Sequence, residues 1–227
     1  MSMRAWEIRK PLARMGRNEF RQALTILAPS LFGPMAASLC FSRDEEIYGE
    51  GEPADYLYSV QSGCVRTSKI LNDGRSQIGA FYLPGDIFGL EADSAQSFSA
   101  EALAPTTVRI VKRSALTSRT AYDTAMASQL LQFAVAELNR AQNRGLLLIK
   151  SAQERVAGFL LEMASRNRTA NEIELPMSRQ DIADYLGLTI ETVSRTLTHL
   201  EDIGAIALPT SRHIVLRNRA ALARLNA

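Results

Sequence analysis

Glu191, Ser194 and Arg195 are three polar residues whose spacing places them on one face of a predicted helix. The planar guanidinium of an arginine matches the O6 and N7 acceptors of guanine. A carboxylate accepts a hydrogen bond from an exocyclic amine of cytosine or adenine, and a serine is short enough to approach thymine. Because a helix that reads base pairs presents such groups to the major groove, we take these three as candidate base-reading residues.

The helix that carries them is the second of a predicted pair. Ser178 is a suitable N-cap for the first helix, with Asp181 at its third position. Gly187 can adopt the positive φ that ends this helix, and Thr189 caps the next. Apolar residues recur at helical spacing in both, with Leu188 at the corner: Ile182, Ala183, Tyr185, Leu186, Val193, Leu197 and Leu200. The pattern predicts a helix-turn-helix, and the alternative is a helical hairpin with a solvated polar face.

Six residues around this pair are predicted to contact the DNA backbone. Four of them lie at or near the starts of the two helices, and two lie in AIALPTSRHIVLR, which predicts a β-hairpin wing. They are Ser178, Arg179, Thr189, Thr192, Ser211 and Arg212.

Composition excludes several other classes of protein. The 227 residues, 46% of them hydrophobic, are enough for two domains, and the net charge of +2 gives only weak support for a nucleic-acid partner. The histidines, His199 and His213, lie near the C-terminus and cannot form the cluster of a metal-dependent barrel enzyme. No nucleophile has a neighbouring base, and Asp86, Glu91 and Glu101 are interpreted as turn or surface acids. We therefore expect no enzymatic activity and no metal.

The region from about Leu39 to Leu116 has the pattern of an antiparallel barrel or roll. Glycines separate short runs rich in β-forming residues, and Asn72-Asp73-Gly74 is a strong hairpin turn. Cys40 and Cys64 are both expected to be buried thiols in a reducing compartment. No apolar run is long enough to cross a membrane, and the N-terminus lacks the apolar core of a signal peptide, so we expect a cytoplasmic protein.

A long helix is predicted from about Tyr122 to Ile149. Small residues and leucines alternate along it in a continuous heptad series: Ala127, Leu131, Ala134, Leu138, Ala141, Gly145 and Leu148. Such a series predicts contact with a partner helix. The alternative is a helix packed on its own barrel.

Residue order makes the interpretation more specific. The string RQDIADYLGLTIETVSRTLTHLEDIGAI resembles the DNA-binding helices of the CRP/FNR superfamily of transcription regulators. Its E-x-x-S-R pattern is most like the FNR branch, which includes FixK proteins. EGEPADYLYSVQSGCVRT and QIGAFYLPGDIFG resemble the β-roll of the same superfamily. The resemblance implies an α+β fold with a cyclic-nucleotide-binding-like jelly roll, a parallel dimerisation helix and a winged helix-turn-helix.

The chain departs from the superfamily at its cofactor sites. Members that bind cyclic nucleotides carry a glutamate after F-G and an arginine-serine pair, whereas this chain has Leu90 and Phe98-Ser99. Removing that arginine leaves the phosphate without its charge partner. FNR holds an iron–sulfur cluster on four cysteines, but this chain has no cysteine before Cys40, and Arg109 stands in the place of the barrel cysteine. We therefore expect no bound cofactor.

The resemblance also implies partners. In FNR-like proteins exposed loops of the roll contact RNA polymerase, and the corresponding loop here runs from Asn72 to Asp86, with Asp73 and Arg75 as candidates. The alternative is an ordinary hairpin. If Glu191, Ser194 and Arg195 act as in the FNR branch, the implied operator is TTGAT-N4-ATCAA.

The combined prediction is a homodimeric transcription regulator, an activator, that binds a palindromic operator on double-stranded DNA. Its predicted parts are an N-terminal arm (1–22), a β-roll (23–118), a dimerisation helix (119–149) and a winged helix-turn-helix domain (150–227). Two alternatives stay open. One is a ligand-gated regulator whose roll binds an effector other than a cyclic nucleotide, and the other is an interaction protein whose helix-turn-helix contacts proteins.

Overall fold

The computed structural model describes residues 32–33, 36–120, 123–147, 149–166 and 171–226. The predicted arm (1–22) and the seam residue Leu148 lie outside the described residues.

Eight strands form an antiparallel roll of two four-stranded sheets, ordered β1-β8-β3-β6 and β2-β7-β4-β5. The predicted hairpin turn joins β4 to β5: Gly74 has a φ of 82°, and the Leu71 N–H donates to the Arg75 carbonyl at 2.8 Å. The expected β-roll is therefore confirmed. The strands are β1 (Ala37–Phe41), β2 (Glu46–Tyr48), β3 (Tyr56–Ser62), β4 (Val65–Ile70), β5 (Ser76–Tyr82), β6 (Ile87–Phe88), β7 (Ser99–Ala102) and β8 (Thr106–Lys112).

An aromatic cluster fills the middle of the roll. Tyr58 stacks on Phe88 with ring centroids 4.9 Å apart, and Tyr48 and Tyr82 pack beside them. Gly89 follows Phe88 with a φ of 80°, and a Cβ there would lie 2.7 Å from Cδ2 of Tyr58. Both the backbone conformation and this close approach require glycine at this position.

Three helices follow the roll: α1 (Arg113–Thr120), α2 (Thr124–Leu147) and α3 (Ala152–Arg166). The observed α2 is slightly shorter than the predicted helix. Met126 and Phe133 of α2 are buried in a cluster with Leu57, Ile87 and Val111 of the roll. One side of α2 is thus attached to its own roll, as the alternative interpretation required, while its other side remains exposed.

The C-terminal unit contains β9 (Glu172–Glu174), α4 (Arg179–Leu186), α5 (Ile190–Asp202), β10 (Ile206–Ala207), β11 (His213–Leu216) and α6 (Arg219–Leu225). Its strands form an antiparallel sheet in the order β10-β11-β9, so the predicted wing hairpin is present and the strand before the helix pair joins it. Helix α6 was not predicted. One apolar core joins this unit to the roll, because Ile78 and Phe81 of β5 pack with Phe159 and Tyr185.

The expectation that both cysteines are buried is wrong for Cys40. Cys64 is buried, but Cys40 lies exposed on β1, which forms one edge of its sheet and pairs with β8. None of the described helices is long and apolar enough to span a membrane.

Candidate nucleic-acid interface

The first helix of the pair begins with a reciprocal capping box. The Asp181 N–H donates to Oγ of Ser178 at 3.1 Å, and the Ser178 N–H donates to Oδ2 of Asp181 at 2.7 Å. These bonds satisfy two donors that a helix start otherwise leaves free. The hydroxyl of Ser178, a predicted backbone contact, is therefore already engaged in the cap.

Gly187 and Thr189 set the turn between α4 and α5. Gly187 takes a left-handed conformation, with φ 64° and ψ 42°, and half-buried Leu188 packs against the shared core. The Thr192 N–H donates to the Thr189 hydroxyl at 3.2 Å, which caps α5. The predicted helix-turn-helix is thus confirmed, together with its predicted capping residues Ser178, Gly187 and Thr189.

Helix α5 divides into two faces. Val193, Leu197 and Leu200 are buried under the helix. Glu191, Arg195 and Thr198 are exposed on the other side, and Ser194 is half-buried between them. The structure therefore brings the three candidate base-reading residues to one polar surface, which a helix needs for the major groove.

Electrostatics favour an ionised Glu191. Hydrogen bonds from its own backbone N–H and from the Thr189 hydroxyl lower the pKa of Glu191 below its usual value, and the charge of Arg195 contributes further. An ionised carboxylate is acceptor-only. This side chain can therefore accept from the amine of a base but cannot donate to a base carbonyl.

Arg179 is a half-buried residue at the start of α4. Its Nη1 donates to Oγ of Ser194 on α5 at 3.3 Å. The guanidinium therefore connects the two helices of the motif beside the base-reading surface. Its predicted contact with a DNA phosphate stays a prediction.

The two wing residues occupy different environments. Ser211 is exposed at the hairpin, whereas Arg212 is half-buried and lines a cleft between the roll and the C-terminal unit. Asp181, Asp184 and Arg66 line the same cleft. Arg212 thus lies among charged groups of both signs, and its contact with the DNA backbone also stays a prediction.

A second candidate site is a cavity of about 260 Å³ between the roll and α2. Phe98 lies against Gly79, where an added Cβ would be 3.1 Å from the phenyl ring, and both residues line the cavity. Arg140 and Arg144 enter the cavity from α2. Arg140 pairs with Asp86 and Glu137, and Arg144 donates to the carbonyls of β5, so these two guanidinium groups already have acceptors.

The described residues contain no group of three or more histidine, cysteine or acidic side chains placed to hold a metal ion. The two thiols also differ in exposure, since Cys40 is exposed and Cys64 is buried. Burial raises the pKa of the Cys64 thiol to about 12, so Cys64 stays protonated near neutral pH.

The predicted seam on α2 is exposed in part. Leu131 is 66% exposed and Leu138 is 57% exposed, and Ala141 and Gly145 are exposed as well. Ala127 and Ala134 are half-buried. Val135 and Leu146 extend the exposed stripe, and Ile149, just past the end of α2, is exposed as well.

The predicted polymerase-contact residues lie at the tip of the β4–β5 hairpin. Arg75 Nη2 and Asp73 Oδ2 form an ion pair at 2.7 Å, and both side chains are more than half exposed. Such a pair contributes little to stability, so these charges are available to a partner at small cost to the fold.

Sequence reasoning missed the ion pairs between the roll and the helices. Arg66 of β4 pairs with Asp181 of α4, and Asp86 pairs with both Arg140 and Arg166. The sequence suggests that Asp86 is a turn or surface acid. It does lie in a turn, but it is buried there. A usable signal is the number of arginines in the segments that follow the roll, Arg140 and Arg166 among them.

Comparisons with known proteins cover most of the chain. Residues 154–225 match the Crp-like helix-turn-helix domain, and residues 39–121 match the cyclic nucleotide-binding domain. The nitrogen fixation regulation protein FixK of Azorhizobium caulinodans is 53% identical over 192 residues, which cover 82% of this chain and 77% of that protein. FixK of Rhizobium meliloti is 44% identical over 186 residues, covering 82% and 85%. The solved structure of FixK2 from Bradyrhizobium japonicum superposes with a TM-score of 0.82 at 51% identity, covering 85% of this chain and 98% of that one.

Proposed function

We propose a function from one premise: this chain belongs to the CRP/FNR family of transcription regulators, which includes the FixK proteins. We infer that it acts in the cytoplasm as a homodimeric activator. It binds a palindromic operator of the form TTGAT-N4-ATCAA without a bound cofactor, and it contacts RNA polymerase through Asp73 and Arg75.

The polar face of α5 is the observation that carries this proposal. Arg195 is exposed and can place two N–H groups on O6 and N7 of guanine. Glu191 is held as an acceptor for an amine, and the side chain of Ser194 is short enough to approach a thymine. The residue types therefore fit the T, G and A steps of the half-site that the FNR branch implies.

The exposed apolar stripe on α2 supports dimerisation. Monomeric proteins rarely expose a contiguous apolar patch of this kind, and a second copy related by a two-fold axis would cover both stripes at once. A two-fold dimer presents two recognition helices about one turn of DNA apart, so its operator is a palindrome.

The test is a titration of arginine variants on two operators at several salt concentrations. Arg195→Ala should cost about 1–3 kcal/mol per half-site on the cognate operator and much less where the guanine is replaced. Arg195→Lys is the matched control, because it keeps the charge but loses the planar fork. It should therefore lose guanine selectivity while keeping the salt dependence.

Arg179→Ala and Arg212→Ala should behave differently. If both arginines contact phosphates, each variant weakens binding to all sequences alike and lowers the salt slope by about one unit per contact in each half-site. Equal losses for Arg195→Ala on both operators would show that this arginine holds the DNA backbone. The absence of salt-sensitive DNA binding would favour a protein-interaction role instead.

The cavity beside Phe98 is the observation that favours the second candidate, a regulator gated by a small effector. Its lining combines aromatic rings with Glu137, Arg140 and Arg144. Small-molecule sites typically combine apolar walls with a few polar groups in this way. An increase in operator affinity of metal-free protein on adding a small-molecule extract would favour this candidate over effector-independent binding.

A further inference from the structure

Asp86 has a rigid position in the turn between β5 and β6. The Leu83 N–H donates to its carboxylate at 2.8 Å, its own N–H donates to the Leu83 carbonyl at 2.9 Å, and its carbonyl accepts from the Val60 N–H at 2.9 Å. Gly85 takes a φ of 91°, which lets the chain turn tightly before it. One hydrogen bond thus holds the carboxylate itself, and two hold the backbone of Asp86 to the roll.

Two helices reach this carboxylate with arginines. Arg140 of α2 donates to Oδ1 at 3.1 Å, and Arg166 of α3 donates to Oδ2. Arg166 is almost completely buried, and both of its terminal nitrogens also donate to the Phe81 carbonyl at 3.1 Å. The last turn of α3 and the middle of α2 are therefore connected through a single side chain of the roll.

Apolar packing alone does not fix the position of α2 relative to the C-terminal unit. The buried cluster that holds Met126 and Phe133 of α2 includes no residue from the C-terminal unit, and the core of that unit includes no residue of α2, within the part of the chain that the structure describes. Both clusters contact the roll. Arg144 of α2 makes a direct contact with the C-terminal unit, because its guanidinium lies 5.8 Å from the centroid of the Tyr185 ring. Asp86 adds a link through the roll, since it pairs with Arg140 of α2 and with Arg166 of α3.

We propose that Asp86 is a positioning residue for operator binding. By holding Arg140 and Arg166 together, it fixes the orientation of the helix-turn-helix relative to the dimerisation helix, and so matches the separation of the two recognition helices to a four-base-pair spacer. This inference rests on the proposed function, since it requires a dimer on a palindrome.

Spacer length gives a readout that a merely stabilising residue would not change. Inserting or removing one base pair shifts the half-sites by about 3.4 Å and rotates them by about 35°. A dimer with a fixed domain orientation must discriminate among such operators. A dimer whose domains can reorient tolerates them.

The experiment uses the full chain and operators TTGAT-N3-ATCAA, TTGAT-N4-ATCAA and TTGAT-N5-ATCAA, together with a single half-site duplex. Dissociation constants are measured by fluorescence anisotropy for wild type, Asp86→Asn, Arg140→Gln and the control Asp93→Asn. Asp93 is an exposed acid on the same domain, so the control repeats the change in charge away from the turn. Sedimentation and circular dichroism report dimer content and folding.

We expect wild type and Asp93→Asn to prefer the four-base-pair spacer by about tenfold or more. Asp86→Asn and Arg140→Gln should reduce this preference to about threefold or less while keeping dimer content and half-site affinity. If Asp86→Asn does not fold, Arg140→Gln decides alone, because it leaves the pair between Asp86 and Arg166 in place.

Unchanged spacer preference in a folded, dimeric Arg140→Gln or Asp86→Asn would overturn the inference. The inference also fails if a variant loses affinity by one factor on every operator and on the half-site, since that is the signature of general destabilisation. A wild-type protein that does not distinguish the three spacers would instead overturn the proposed palindromic operator, and the inference with it.

Discussion

Leu138→Glu is the change that tests the dimer most directly. Leu138 lies near the middle of the exposed stripe on α2 and is 57% exposed in one copy of the chain. If the stripe is the interface, the substitution places two carboxylates opposite each other at the two-fold axis. Desolvating two like charges there is unfavourable, so we expect the dimer to dissociate and operator affinity to fall with it.

The size of the effect follows from exposure and geometry. Burying a whole leucine side chain contributes about 1.5–3 kcal/mol, so burying the 57% that is exposed contributes about 1 kcal/mol per copy. Two carboxylates about 5 Å apart repel by about 3 kcal/mol at an effective dielectric constant of about 20. The total of about 5 kcal/mol weakens the dimer by roughly three to four orders of magnitude.

Sedimentation equilibrium over a range of concentrations measures this change. Ala125→Glu is the control, because it adds the same charge at an exposed position in the first turn of the same helix, away from the stripe around Leu138. An equimolar mixture of Leu138→Glu and Leu138→Lys should recover dimers through opposite charges. A Leu138→Glu protein that sediments as an intact dimer would refute the assignment of the interface to this stripe.

Three further outcomes are expected. In native protein a thiol reagent should label exposed Cys40 quickly and Cys64 only after denaturation, since burial raises the pKa of Cys64 to about 12; rapid labelling of both, counted by mass spectrometry, would contradict the buried position. Reversing the charge of Asp73 or Arg75 should reduce transcription activation in vitro and leave operator binding unchanged, and full activation would place the polymerase contact elsewhere. Operator affinity should be equal in air and under nitrogen and should not rise on adding a cyclic nucleotide; a large rise would show that the cavity beside Phe98 accepts one.

The helix-turn-helix was predictable because its signals are local. Ser178, Gly187 and Thr189 each act on backbone groups within a few residues, so their roles follow from sequence spacing alone. The buried face of α5 follows from helical periodicity in the same way. The hairpin turn at Gly74 is likewise a short-range feature.

Features that depend on contacts between distant segments were not predictable. Cysteine is a residue type that is usually buried, but Cys40 is exposed on an edge strand. The position of a strand within its sheet is set by the topology of the whole roll. Ala127 and Ala134 fit the heptad pattern, yet they are half-buried. A heptad pattern identifies an apolar stripe, but it does not divide that stripe between the chain's own roll and a partner.

Asp181 shows how a local signal can coincide with a long-range role. Its Oδ2 closes the capping box with Ser178, while its Oδ1 accepts from Arg66 of the roll, which also pairs with Glu101. The first use follows from the spacing of two residues, whereas the second joins positions that are 115 residues apart. Because one carboxylate both starts α4 and ties it to β4, the helix that supports the recognition helix is held to the roll at its first turn. Through Asp86 and Asp181, ion pairs with the β-roll therefore help to orient the base-reading surface. Local sequence patterns do not predict such pairs, because the paired residues are far apart in the chain.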